Sequence, residues 1–270
     1  MTDHLSRLLN LILVFYHTSM RNISKNCKHR TFPRKNCVFP PARGILLKKT
    51  EEVAPMNTPD AVPVALDTWP RREAYTFFSG LSDPFYSVTV TADVTALHTY
   101  TKRRGLSFYY ALVWLCTQSI NHTTAFRYAI RNGQPVLLAR REPSFTDLHP
   151  GAEQFHIVTM PAGDALEDFC RAARAKSRAQ TEFLSAAAES DALIYFSCLP
   201  WVSLTALTNE RDFDADDAIP RIVWGKYHRE GERDVLGLAL EVNHRLIDGL
   251  HIGRFVQDLQ QRIDALAEAE

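Results

Sequence analysis

Residues 243–249 read Asn-His-Arg-Leu-Ile-Asp-Gly, and this stretch decides the fold because two hydrophobic patterns meet there. Residues 235–242 before it form a short apolar run, which is typical of a buried strand. After it, apolar residues recur at helical spacing: Ile252, Phe255, Val256, Leu259 and Ile263. We therefore predict that His244 lies where a buried strand joins an amphipathic helix.

A histidine at such a junction can be held rigidly while its ring stays open to a substrate. Imidazole is the side chain best matched to removing a proton from a hydroxyl or thiol near neutral pH. The pattern also allows a core histidine beside an ordinary Asp-Gly turn, because short motifs often match by chance. From this stretch alone, both interpretations stay open.

Size and composition exclude several classes of protein. The chain has 270 residues, a mass of 30.7 kDa and 46% hydrophobic residues, enough for one large globular domain and too many for a disordered chain. Its formal net charge of +0 argues against nucleic acid as the main partner. Its 5 cysteines are scattered without a CxxC pair, which predicts reduced thiols in a cytoplasmic protein and no metal site.

The first 60 residues differ from the rest of the chain. The apolar run at residues 8–16 is too short to span a membrane, and we expect no membrane association. Residues 21–49 are basic and contain no acidic residue, as in a targeting arm or an anion-binding tail. We favour a disordered extension, or sequence that is not translated, with Met56 as the working start. The predicted folded domain covers residues 61–270.

The mixture of predicted helices and strands in that domain indicates an α+β fold. A helix is expected to end near Gly105, Ser107 should open a helix buried on every side, and Asn132-Gly133 predicts a hairpin turn. A long amphipathic helix is predicted over residues 164–188. Further strands are predicted at residues 86–93, 155–160, 193–199, 202–207 and 222–224.

Several short segments follow one another in order between about residues 64 and 266. They are Trp69-Pro-Arg-Arg-Glu73 with Phe77-Phe78-Ser79-Gly80, Asp83-Pro84-Phe85, Phe126-Arg127-Tyr128, Leu199-Pro200-Trp201-Val202-Ser203, Ile219-Pro220, Gly225-Lys226-Tyr227, and His244-x-x-x-Asp248-Gly249-x-His251 with Gly253-Arg254-Phe255. Together they resemble the chloramphenicol acetyltransferase family. His-Arg-x-x-Asp-Gly also resembles dihydrolipoamide acyltransferases, but the other segments do not.

The resemblance implies a large mixed β-sheet sandwiched with helices, assembled as a homotrimer with each active site between two subunits. It implies acetyl-CoA as co-substrate and a hydroxyl of chloramphenicol, or of a related small molecule, as acceptor. His244 would be the general base: it would take the proton of the acceptor hydroxyl while that oxygen attacks the thioester directly, without an acyl-enzyme. Asp248 would pair with Arg71 and fix the loop that carries the histidine.

Other positions acquire roles through the same resemblance. Lys226 and Tyr227 would line the coenzyme channel, although a solvated lysine beside a packed tyrosine explains them equally well. Phe78, Phe85 and Trp201 would form the apolar walls of the acceptor pocket, or could belong to the core.

The sequence departs from the family where the oxyanion of the tetrahedral intermediate needs donors. The two hydroxyl positions map to Ala206 and Val223, and the adjacent Thr205 would face the other side of a strand. Losing one such donor costs roughly 2.7–4 kcal/mol. Two alternatives therefore stay open: an acyltransferase of the same fold with a different acceptor, and a catalytically weak trimer that binds CoA or another ligand.

Overall fold

A mixed sheet of seven strands organises the structure. The computed structural model describes residues 60–211 and 214–268, and the predictions for the N-terminal extension lie outside the described residues. The strands are β2 (Phe85–Asp93), β5 (Glu142–Asp147), β6 (His156–Thr159), β7 (Leu193–Leu199), β8 (Arg221–Gly225), β9 (His228–Glu230) and β10 (Arg233–Asn243). They lie in the order β2-β10-β8-β7-β5-β6, with β9 paired to β10. The β7 strand runs parallel to β5 and β8, and the other pairs are antiparallel.

Five α-helices accompany this sheet within the described residues. They are α1 (Arg72–Ser79), α2 (Thr95–Arg104), α3 (Phe108–His122), α4 (Leu166–Ala179) and α5 (Gly249–Asp264). The α3 helix packs against α2, α4 and α5, and it is buried because its sequence is apolar on every side. Alternate residues of β10, from Leu236 to Val242, join the helices in one core, as the period of a strand requires. The architecture is the predicted α+β fold.

A second, three-stranded sheet was not predicted. It consists of β1 (Ala61–Pro63), β3 (Tyr128–Arg131) and β4 (Gln134–Leu138) in the order β1-β4-β3. The predicted hairpin is confirmed, because Asn132 and Gly133 join β3 to β4 with φ angles of 53° and 71°. These left-handed angles are the ones that an Asn-Gly turn supplies at low cost.

Arg141 anchors the hairpin segment to the large sheet. Its side chain is fully buried and donates hydrogen bonds to five backbone carbonyls: those of Phe126, Tyr128, Asp191, Leu193 and Ala218. Burial lowers the pKa of this guanidinium to about 10. One side chain therefore satisfies carbonyls from three separate segments of the chain.

Two predicted elements are wrong in extent or type. The long helix ends at Ala179 rather than Ala188, because Gln180 turns the chain and its amide donates to the Ile157 and Glu182 carbonyls. The backbone of Phe183 then accepts a hydrogen bond from Ile157 at the sheet edge, 2.8 Å away. Residues 202–207 are an irregular segment and not a strand.

Two glycines allow the backbone of residues 202–207 to lie against the face of the large sheet. A Cβ atom added to Gly225 would meet the Leu204 nitrogen at 2.5 Å, and one added to Gly237 would meet the Leu204 oxygen at 1.9 Å. The backbone of Leu204 therefore lies directly on the face of the sheet over β8 and β10, where only glycine permits such an approach.

Candidate active site

His244 lies at the predicted junction, immediately after β10 and five residues before α5 begins. Its backbone N–H donates to the carbonyl of Pro84 over 2.7 Å. The neighbouring pair, Asn243 and Phe85, is the last rung of the antiparallel ladder between β10 and β2. The histidine is therefore fixed to the end of the sheet by its own backbone.

Two aromatic rings contact the imidazole. The ring centroid of Phe78, from α1, lies 3.9 Å from that of His244, and the centroid of Tyr86, from β2, lies 4.5 Å away. The His244 ring is half-buried. Its Nδ1 atom is buried and has no hydrogen-bond partner among the described residues. Within the described part of the chain, aromatic packing rather than a hydrogen bond to Nδ1 holds the imidazole.

Arg71 and Asp248 form the predicted ion pair. The Arg71 Nη1 atom lies 2.5 Å from Asp248 Oδ2, and Nη2 donates to the His244 carbonyl over 3.2 Å. The arginine side chain is 14% exposed and that of the aspartate 38%. One guanidinium therefore holds both the carboxylate and the backbone of the histidine.

Asp248 also caps α5. Its carboxylate accepts from the Leu250 N–H, and its own N–H donates to His251 Nδ1 over 3.1 Å, completing a capping box. Burial alone would raise the pKa of Asp248, but the hydrogen bond from Arg71, the charges of His251 and Arg71, and the Leu250 N–H together lower it. The carboxylate is therefore held in its ionised form.

Sequence reasoning missed the roles of Tyr86 and His251 at this site. The alternating pattern predicts a strand at Tyr86, but only its register opposite Val242 and its ring contact show that it reaches the histidine. The sequence gives no role to His251. Its place three residues after an aspartate N-cap is that of the N3 partner in a capping box, although the usual residue there is Glu or Gln.

The remaining predicted site residues lie in other places. Trp201, Thr205 and Ala206 are exposed on the irregular segment over the sheet, and Trp201 is 72% exposed. Val223 is buried in β8, opposite Ala239 of β10. Within one chain, the structure therefore brings Arg71, Phe78, Phe85 and Asp248 to the region of His244, and it places the predicted oxyanion positions further along the sheet.

Lys226 and Tyr227 follow β8. Lys226 is exposed, and its backbone N–H donates to the Val202 carbonyl over 2.7 Å. The Tyr227 hydroxyl lies 3.2 Å from Nε2 of His98, whose Nδ1 lies 2.7 Å from Asp234. The tyrosine is therefore positioned by an Asp-His pair that the sequence did not reveal.

None of the helices among the described residues is sufficiently long and apolar to cross a membrane. In residues 60–211 and 214–268, no group of three or more His, Cys, Asp or Glu side chains could hold a metal ion.

Comparison with known proteins identifies the class to which this protein belongs. A solved chloramphenicol acetyltransferase has a similar fold, with a TM-score of 0.68 at 20% sequence identity, covering 76% of this chain and 100% of that one. The chloramphenicol acetyltransferase family model matches residues 60–260. The chain belongs to this family and is an acyltransferase.

Two relatives show how much of the chain is shared. A chloramphenicol acetyltransferase of Streptomyces acrimycini is 30% identical over 211 residues, which cover 77% of this chain and 95% of that protein. Chloramphenicol acetyltransferase 2 of Escherichia coli is 27% identical over 204 residues, covering 74% and 96%. The similarity therefore spans almost the whole of each relative.

Proposed function

We propose that this protein transfers the acetyl group of acetyl-CoA to a hydroxyl of a small molecule, with His244 as the general base. Chloramphenicol is the first acceptor to test, because the similar proteins are chloramphenicol acetyltransferases. The observation that carries the proposal is the position of His244, between Phe78 and Tyr86 and held through its carbonyl by the Arg71 that pairs with Asp248.

In the proposed reaction, neutral His244 takes the proton of the acceptor hydroxyl as the oxygen attacks the thioester carbon. The tetrahedral intermediate then collapses, the carbon–sulfur bond breaks, and the imidazolium returns the proton to the leaving thiolate. The products are the acetyl ester and free CoA. No covalent enzyme intermediate is needed, because the cleft supplies the orientation of both substrates.

Arg71 and Asp248 are positioning residues in this mechanism. The guanidinium fixes the His244 carbonyl and the start of α5 together. A bidentate charged donor suits this task, because its planar fork restricts both partners at once. The aromatic contacts of Phe78 and Tyr86 limit the rotation of the imidazole.

We further propose that the active protein is a cytoplasmic homotrimer with its active sites between protomers. The trimer follows from the family resemblance, and the cytoplasmic location from the scattered cysteines. Two features of the single chain support a shared site: the half-buried His244, and the exposed Trp201 and Thr205 on a separate part of the sheet. A neighbouring protomer that places the second region against the first would complete one cleft.

The mechanism also needs a hydrogen-bond donor for the oxyanion of the tetrahedral intermediate. Ala206 and Val223 carry no hydroxyl. In a strand, Thr205 would face away from position 206 and could not serve as the donor. Residues 202–207 are not a strand, so this exclusion does not apply. The exposed Thr205 hydroxyl is therefore a candidate donor after all.

The test is release of free CoA thiol from acetyl-CoA by the purified chain, with chloramphenicol as acceptor. We expect turnover that depends on both substrates. If chloramphenicol gives none, a panel of small hydroxyl and amine acceptors separates a change of acceptor from a loss of catalysis. The second candidate function, a weak CoA-binding or ligand-binding trimer, is favoured by Ala206 and Val223, and it predicts CoA binding without turnover on any acceptor.

A further inference from the structure

A cavity of about 540 Å³ lies beside Arg71, outside the cleft assigned to the acetyl acceptor. Its wall is formed by residues 69–71, by the end of α3 and by one face of α5. The volume falls within the range of pockets that bind small organic molecules. None of the roles proposed above uses this cavity.

Two guanidinium groups line the cavity: Arg71, which is paired with Asp248, and the exposed Arg254. The Arg71 Nε atom is buried without a hydrogen-bond partner among the described residues. The carboxylate of Asp258 also lines the cavity, but it is already engaged by Arg262 and His122, each at 2.6 Å. Nothing within the described part of the lining therefore offsets the charge of Arg254.

His251 also lines this cavity. Its Nδ1 atom lies 3.1 Å from the Asp248 nitrogen and 3.0 Å from Asp248 Oδ1, so Nε2 carries a proton when Nδ1 accepts the Asp248 N–H or when the ring is protonated. Burial lowers the pKa of His251, and the charges of Arg71 and Arg254 lower it further against the opposite effect of Asp248. A bound anion would counter the two guanidinium charges and raise that pKa.

The opposite wall is aromatic. The rings of Trp69 and Tyr128 meet edge to face, with centroids 5.0 Å apart, and the indole N–H donates to the tyrosine hydroxyl over 3.3 Å. Trp69 is only 9% exposed, so the half-buried Tyr128 supplies most of the aromatic surface available to a flat ring. The cavity thus combines a cationic end with an aromatic surface.

We propose that this cavity binds a small aromatic carboxylate. Its carboxylate would accept hydrogen bonds from Arg254 and from His251 Nε2–H, and its ring would pack on Trp69 and Tyr128. The ligand would contact the same capping box and guanidinium that hold Asp248 and the His244 carbonyl. Ligand binding in the cavity would therefore affect the groups that position His244.

The test is an NMR titration of the full-length protein with benzoate, following the His251 Cε1–H signal, assigned by its loss in His251→Gln. We expect a saturable shift and a higher pKa for His251 in the bound state. Arg254→Gln should weaken the binding at least about tenfold, because it removes one charge-assisted hydrogen bond. The matched control is Arg178→Gln, the same change at an exposed arginine of α4, which should leave the affinity unchanged.

Three results would overturn the proposal: no saturable shift of His251, equal binding of neutral benzamide, or unaltered benzoate affinity in Arg254→Gln. The experiment measures binding and not turnover. Its outcome is therefore independent of whether the acetyl-transfer reaction proposed above is correct.

Discussion

The guanidinium of Arg71 lies 2.5 Å from the carboxylate of Asp248, and its second nitrogen donates to the carbonyl of His244. The arginine immediately precedes α1, whereas the aspartate caps the N-terminus of α5, so the contact joins segments far apart in the sequence. It closes the bend between β10 and α5 around the histidine. The position of the imidazole therefore depends on a residue from the other end of the domain.

Replacing Arg71 with lysine should lower kcat at least about tenfold and destabilise the fold by about 2 kcal/mol. The reason is that lysine cannot hold the Asp248 carboxylate and the His244 carbonyl with one planar group. Steady-state kinetics and urea unfolding measure the two effects. Arg72→Lys, at the exposed neighbouring position, is the control and should change neither. An active-site role for Arg71 is wrong if its variant loses stability but keeps kcat.

Restoring a hydroxyl at position 206 should raise the rate. Ala206→Ser places a donor where the family resemblance expects one, and one oxyanion donor is worth about a hundred- to a thousandfold in kcat. Thiol release under saturating substrates measures the gain. Ala172→Ser, on the exposed surface of α4, is the matched control. An unchanged rate in Ala206→Ser would mean that another group, such as the Thr205 hydroxyl, already holds the oxyanion.

Mixed oligomers test whether each active site is shared between protomers. His244→Ala and Ala206→Trp should each be inactive, because the first lacks the base and the second blocks the acceptor side. Unfolding and refolding them together should restore part of the activity if one intact site forms from two chains. Sedimentation should give about three times the chain mass of 30.7 kDa. Absence of recovered activity in a trimer that forms normally would place the whole site within one chain.

Stability should fall as the pH drops below about 6.5, the ordinary pKa of histidine. Burial lowers the pKa of His156 in the folded protein, and the charge of nearby His149 lowers it further. The unfolded chain therefore binds a proton that the native chain does not, and the free energy of unfolding decreases with pH until the folded pKa is reached. Urea unfolding at pH 7.5 and at pH 5.5 measures this.

His156→Gln is the control for that prediction. It removes the titrating group and keeps a polar side chain beside Ser177, whose hydroxyl lies 3.0 Å from His156 Nε2. The variant should lose less stability between the two pH values than the wild type. An equal loss would assign the pH dependence to other groups.

Sequence patterns predicted the elements that are determined by residues close together in the chain. The strand and helix around His244, the buried α3 and the Asn132-Gly133 turn all follow from periodicity, capping and backbone preference within a few residues. The Arg71–Asp248 pair was predicted only through the family resemblance. Its two residues are too far apart in the sequence for spacing to relate them.

The missed features depend on contacts between distant segments. Residues 202–207 have the composition of a strand, and only the approach of Leu204 to Gly225 and Gly237 shows why they lie on the sheet instead. Likewise, Arg141 appears in the sequence as one arginine among many. Its burial depends on carbonyls that three separate segments bring together.

The rate of acetyl transfer by His244→Ala, compared with the wild type at pH 7.5, tests the central claim most directly. If His244 is the general base, kcat should fall about a hundred- to ten-thousandfold while the fold and CoA binding persist. If the purified variant turns over as fast as the wild type, the imidazole is not the base and the proposed mechanism is wrong.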